Sequence, residues 1–245
     1  MSSISSSAAN QQPPKGMWPS FAPYVAPPIA ASFAIVPVFR DMIAKSFQQK
    51  GQAVPPMTFT ASLKEGVKAA PTVGIIVGAQ MVLQNLVETA LVGESAKKST
   101  STALVSSAIV GTFSAPVLAI FNGQTMGWTI RQSIQRFTLR QGFAIAVQET
   151  AFVGGLSVAD RLAIAMRKQF GSNRIVDYTA AFIAGAAGSL AGHPANTALT
   201  RLQNGMPIES ARQLMWGSLR KARAVGGFSV IYKLGKEVLN PPTPK

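Results

Sequence analysis

The sequence predicts an all-α membrane protein of six transmembrane helices in three tandem repeats, with short amphipathic helices on the membrane surface. Three observations carry that expectation. Hydrophobic residues make up 47% of the 245 positions and charged residues only 13%, about half the charged share of an ordinary soluble domain. Long stretches carry no charge at all. A proline and a basic segment recur together at a period near 78 residues.

The charge-free stretches are 16–39, 69–87, 99–130 and 178–200. Each meets, or comes within a residue of, the roughly 20 residues a helix needs to cross hydrocarbon. The formal net charge is +14. A nucleic-acid binder would concentrate such charge on a polar face with stacking aromatics; here the bases flank apolar runs instead. The chain has no cysteine and a single histidine, His193. That excludes a disulfide framework, a thiolate metal site and a histidine cluster. No phosphate-cradling glycine loop and no nucleophile elbow is present, so neither an enzyme nor a cofactor is expected.

Residues 1–19 form a Ser-, Gln- and Pro-rich tail, expected to be disordered. Lys15 is its only charge, so it has neither the arginines of a transit peptide nor the apolar core of a secretory signal. Repeat one covers 20–97, repeat two 98–173 and repeat three 174–240, followed by a short tail at 241–245. Pro37, Pro116 and Pro194 lie 79 and 78 residues apart. The segments starting Ser62-Leu63-Lys64, Thr138-Leu139-Arg140 and Ser218-Leu219-Arg220 follow at 76 and 80. Each repeat thus reads as an apolar helix reaching a proline, a basic link, and a second helix. The second helices are expected near 67–92, 142–168 and 222–239. Glu149 interrupts the fourth helix and Lys233 and Lys236 the sixth; the repeat nevertheless assigns both as spans.

The links are expected to be partly helical. In the second, Ile130, Ile134 and Phe137 share a face. In the third, Pro207 and Glu209 suit a helix start, and Ile208, Ala211 and Met215 share a face. The links inside repeats hold 13 bases against three acids, and the links between repeats six bases against four. Positive residues mark the inner side, so the intra-repeat links are expected inside and both termini outside. Small residues on the third and fifth helices (Ser107, Gly111, Ala115; Gly185, Gly188, Gly192) suit close helix packing.

Three repeats, six helices and the segment Pro194-Ala195-Asn196-Thr197-Ala198-Leu199-Thr200-Arg201 resemble the mitochondrial carrier family, whose signature is Pro-x-Asp/Glu-x-x-Lys/Arg-x-Lys/Arg. The resemblance covers about residues 20–240. It implies six helices around a central cavity in the mitochondrial inner membrane, and exchange of a small, anionic metabolite. It also implies a gate of three ion pairs below Pro37, Pro116 and Pro194. The sequence departs from that gate. Asn196 and Leu199 replace the acid and first base in the third repeat, while Arg201 keeps the last base. Leu118 and Phe121 stand in the second. Phe39 and Met42 stand in the first, with Asp41 displaced. The opposite gate keeps the aromatics Phe152 and Tyr232 but puts Lys233 where an acid is expected. A neutral, hydrogen-bonded gate of Asn122, Gln124 and Asn196 is one replacement. Asp41 and Lys45 are expected to pair along one helix.

Gln80, Gln84, Gln148, Glu149, Arg223 and Lys233 are the candidate cavity residues. An acid at mid-helix costs about 2.5–3.5 kcal/mol on insertion scales, so Glu149 faces a wet cavity or a partner such as Lys233 or Arg223. Two functions follow: a carrier-type transporter, or a carrier-fold protein that has lost transport and serves as a subunit of a membrane complex. The expected partners are the bilayer, with anionic lipid against the inner surface helices, a small-molecule substrate, and other subunits in the second case.

Overall fold

A computed structural model describes residues 18–93, 99–125 and 129–240. Every regular element among them is helical: α1 (Trp18–Gln49), α2 (Phe59–Val92), α3 (Thr100–Thr125), α4 (Ile130–Gln135), α5 (Leu139–Phe170), α6 (Arg174–Ala191), α7 (His193–Gln203), a 3-10 turn (Ala211–Met215) and α8 (Ser218–Leu239). Residues 1–17 of the tail expected to be disordered, and the short tail at 241–245, lie outside the described residues, whereas Trp18 and Pro19 already belong to α1.

Among the described residues, four helices are long and apolar enough to cross a membrane, and five if the α6–α7 pair counts as one broken span. α8 is excluded from that set, consistent with its six charged residues. The long helices close into a ring. α1 packs on α2, α2 on α3, α3 on α5, α5 on α6, α6 on α8, and α8 back on α1.

Local sequence explains how the helices start and stop. Thr58 caps α2 by accepting from the Ala61 amide at 3.2 Å. Thr138 caps α5 in a reciprocal box with Gln141, which satisfies two otherwise orphaned donors. Both helices end on a glycine in nearly the same backbone conformation, Gly93 with φ 80° and Gly171 with φ 83°. Only glycine takes that conformation without strain.

Small residues set the packing. Gly74 and Gly78 let α2 lie directly on α1: a Cβ on Gly78 would stand 2.6 Å from the Pro28 Cα. Gly155 and Gly188 do the same between α5 and α6, where a Cβ on Gly188 would stand 2.6 Å from the Ala151 carbonyl oxygen.

Two expectations are corrected. Pro37 and Pro116 do not end their helices, which run on to Gln49 and Thr125. Each proline removes one backbone donor, and one lost bond does not outweigh the packing of a long helix. Only at Pro194 does the helix break among the described residues, with a 49° bend between α6 and α7; there Gly192 stands two residues before the proline and adds its own weakness to the helix. The surface helices are also shorter than expected. α4 has six residues, the third link holds only the 3-10 turn, and the first link has none.

A candidate functional site in the ring interior

On α5, Gln148, Phe152, Leu156 and Asp160 recur every fourth residue, so they form one stripe along the helix. The stripe points across the ring to helices that are not α5's neighbours. Gln80 of α2 donates to Glu149 Oε2 at 2.9 Å, the Phe152 ring stands 6.1 Å from the Phe228 ring of α8, and Lys233 of α8 donates to Asp160 at 2.6 Å. The interior is therefore layered from the link end to the far end.

The first layer is a hydrogen-bond network centred on Asn196. Its Oδ1 accepts from Lys45 Nζ at 2.9 Å and from Gln49 Nε2 at 2.8 Å, both on α1. Its Nδ2 donates to Gln148 Oε1 of α5. Gln148 in turn donates to Glu149 Oε1 at 2.7 Å. Four elements, α1, α2, α5 and α7, are thus joined through Lys45, Gln49, Asn196, Gln148, Glu149 and Gln80. All except Gln148 are buried. Lys221 of α8 is also buried. Its electrostatic neighbours are Lys45 and Glu149, but no hydrogen bond or ion pair ties it to the described residues.

The second layer is apolar. Ile35, Val77, Phe228 and Tyr232 form its buried core, with Phe152 and Leu156 packed against them. Phe228 and Tyr232 stack with ring centres 5.9 Å apart, and Lys236 lies over the Tyr232 ring. The third layer is charged. Besides Asp160 and Lys233, Arg167 pairs with Asp177 between α5 and α6, and Tyr178 donates to Glu237 at 3.0 Å between α6 and α8.

Several sequence expectations change here. Asp41 does not pair with Lys45. It accepts from Arg223 Nε at 2.7 Å and Nη2 at 2.5 Å, with Arg220 at 3.8 Å, because α8 brings those guanidiniums alongside while Lys45 turns to Asn196. Glu149 pairs with neither Lys233 nor Arg223; amides hold it. Asp160 and Glu88, counted from sequence in the links, lie on α5 and α2. Gln84 does not join Gln80 at Glu149. It bonds Glu88 at 2.8 Å, Ser106 of α3 at 2.5 Å and the Ala103 carbonyl at 3.2 Å, a polar clamp between neighbouring helices. Arg201 is buried and donates to the Gln49 and Pro207 carbonyls, so it locks the α7 end onto α1. His193 donates from Nε2 to the Trp216 carbonyl at 2.9 Å, a helix-end contact. Asn122 and Gln124 belong to α3, but their side chains lie outside the described residues.

Sequence reasoning missed Gln49 and Lys221 as buried groups and Asp160 as the exposed partner of Lys233. The signal for the first two was a polar residue near the end of a helix. Among the described residues, five buried side-chain polar atoms have no hydrogen-bond partner, among them Gln80 Oε1 in the first layer and the Tyr232 hydroxyl in the second. No cluster of potential metal ligands occurs among the described residues. No family model matches the chain, and no curated protein matches it.

Proposed function

We propose that the chain is a carrier-type transmembrane transporter of six spans in three repeats, closed at the link end by a hydrogen-bonded latch centred on Asn196. The observation that carries this reading is the hub itself. One amide, in the position below Pro194 where the resemblance expects a gate acid, accepts from two side chains of α1 and donates to α5. Alternating access needs closed states of similar energy, each held by contacts the other lacks. The bonds across helices are worth about 0.5–1.5 kcal/mol each, and about 1.5–3 where a charge takes part. Their sum is of the order of the 5.5 kcal/mol that converts a closed majority into an open one. Such a latch opens without separating a buried ion pair.

The shared caps of α2 and α5, with Gly93 and Gly171 in one conformation, support the repeat. α8 completes the ring as the sixth span because α5, α6 and α1 each answer one of its charges. The substrate is a small anion: Lys45 and Lys221 outnumber Glu149 among the buried charges of the latch layer. Gln80 Oε1 and the Tyr232 hydroxyl are the unpaired groups an entering molecule would meet. The resemblance is the ground on which we propose the mitochondrial inner membrane for this exchange. Purified protein in liposomes, screened against small carboxylates and phosphates, is expected to exchange at least one, and Asn196→Leu to change the rate. No exchange of any anion would overturn the reading.

The filled second layer favours the alternative, a transport-inactive subunit of a membrane complex. Phe152, Phe228 and Tyr232 occupy the space between helices that a cavity would use. Native gel migration in mild detergent separates the two: a transporter runs near its own mass, and a subunit runs with its complex.

A further inference from the structure

Outside the ring, a groove of about 1270 Å³ runs along the outward face of α5, walled by α3 and α6. Its lining is apolar apart from Thr112, Thr150 and Arg161. The two threonines are already engaged, donating to the Ala108 and Ala146 carbonyls of their own helices at 2.8 and 2.7 Å. Arg161 is different. Its Nη1 is buried without a hydrogen-bond partner among the described residues. Its neighbour Asp160 is turned away toward Lys233.

Arg161 lies 22 residues beyond Leu139, about 33 Å along a helix rising 1.5 Å per residue. That distance is close to the thickness of the hydrocarbon core, about 30 Å. If α5 crosses the membrane, the groove's length therefore lies in hydrocarbon and its guanidinium at the headgroup level of the far side. An occupant must be apolar along its length and anionic at one end.

We infer that this groove binds a phospholipid, with acyl chains along α5 and the phosphate on Arg161. A guanidinium matches a phosphate oxygen pair in charge and geometry. A partner helix fits less well. Three of the four glycines lining the groove are already used, since Gly155 and Gly188 meet each other and Gly142 faces the Phe137 ring, and the fourth, Gly154, faces Leu104 and Ser107 of α3.

The test is native mass spectrometry of delipidated protein in mild detergent, titrated with phosphatidylglycerol. Wild type is expected to hold the lipid through detergent dilution. Arg161→Gln is expected to weaken it roughly tenfold or more, the equivalent of one charge-assisted bond. Ala187→Phe, an exposed wall position that fills the groove, is expected to weaken it as well. Diacylglycerol, with the same chains and no phosphate, is expected not to compete. Folding of each variant is checked by circular dichroism, and Arg174→Gln, outside the groove, is expected to bind as wild type does. Unchanged binding in folded Arg161→Gln or in Ala187→Phe, or equal binding of diacylglycerol, would overturn the inference. So would a cysteine at position 187 that cross-links in the membrane to another polypeptide.

Discussion

Asn196 shows how much one side chain can organise. It satisfies two donors from α1 and one acceptor from α5 at once. Asn196→Leu would strand Lys45 and leave Gln148 Oε1 without its donor. Leaving buried groups unmatched costs about 1–3 kcal/mol each, so the variant is expected to lose several degrees of Tm in detergent. Asn196→Asp keeps the acceptor for Lys45 and is expected to lose less; equal Tm for both variants and wild type would show that the hub holds nothing. Lys221 makes the opposite case. It is buried and its ammonium makes no hydrogen bond or ion pair with a described residue, so Lys221→Met is expected to hold or raise Tm, since an unpaired buried charge is a cost. A fall as large as that of Asn196→Leu would mean that Lys221 has a structural partner. At this scale the sequence was legible for Asn196 and Glu149, which stand out as polar positions in apolar surroundings. It was not legible for their partners. Gln49 and Asn196 are 147 residues apart and Gln80 and Glu149 are 69 apart; no local pattern links them.

Helices were more legible than contacts because caps and periodicity are local. α2 and α5 end at Val92 and Phe170, within two residues of the expected 92 and 168, but they start at Phe59 and Leu139, eight and three residues before the expected 67 and 142, because Thr58 and Thr138 cap them there. The prolines misled. Pro37 and Pro116 look like the Pro194 break, yet a helix ends at a proline only when neighbouring residues and packing allow it. α8 was the hardest element to read. Its charges lower its hydropathy, and what answers them is distant: Arg223 meets Asp41 across 182 residues and Lys233 meets Asp160 across 73. Close approach between helices gives the test at this scale. Gly188→Val is expected to cost about 1–3 kcal/mol by overpacking, because its Cβ would meet backbone of α5. Gly154→Ala is expected to be nearly silent, since its nearest contact would be 3.6 Å away on the Leu104 side chain. Thermal unfolding in detergent reads both, and a silent Gly188→Val would contradict the α5–α6 packing.

For the whole molecule, the layers explain why an apolar chain carries so many interior polar groups. A latch of amides and one lysine, an aromatic layer and a charged layer each join helices that are not neighbours around the ring. The resemblance expects ion pairs at both ends, and ion pairs do join helices at both ends. They are Asp41 with Arg223 on one side and Asp160 with Lys233 on the other. None of these residues stands at a position of the proline signature, so a register comparison of one sequence does not reveal the pairs.

All of this depends on six crossings, with α8 among them. The chain has no native cysteine, so single cysteines report topology without background. Cysteines at the exposed positions Gln52, Arg131 and Ser210 lie in the intra-repeat links, and Ser99, Ser172 and Asn240 lie at the other helix ends. Labelling with a membrane-impermeant maleimide in sealed vesicles, before and after permeabilisation, is expected to divide them into those two groups of three. Position 240 decides the sixth span. If Asn240→Cys labels from the same side as Ser210→Cys, α8 does not cross, and the carrier-type ring is contradicted.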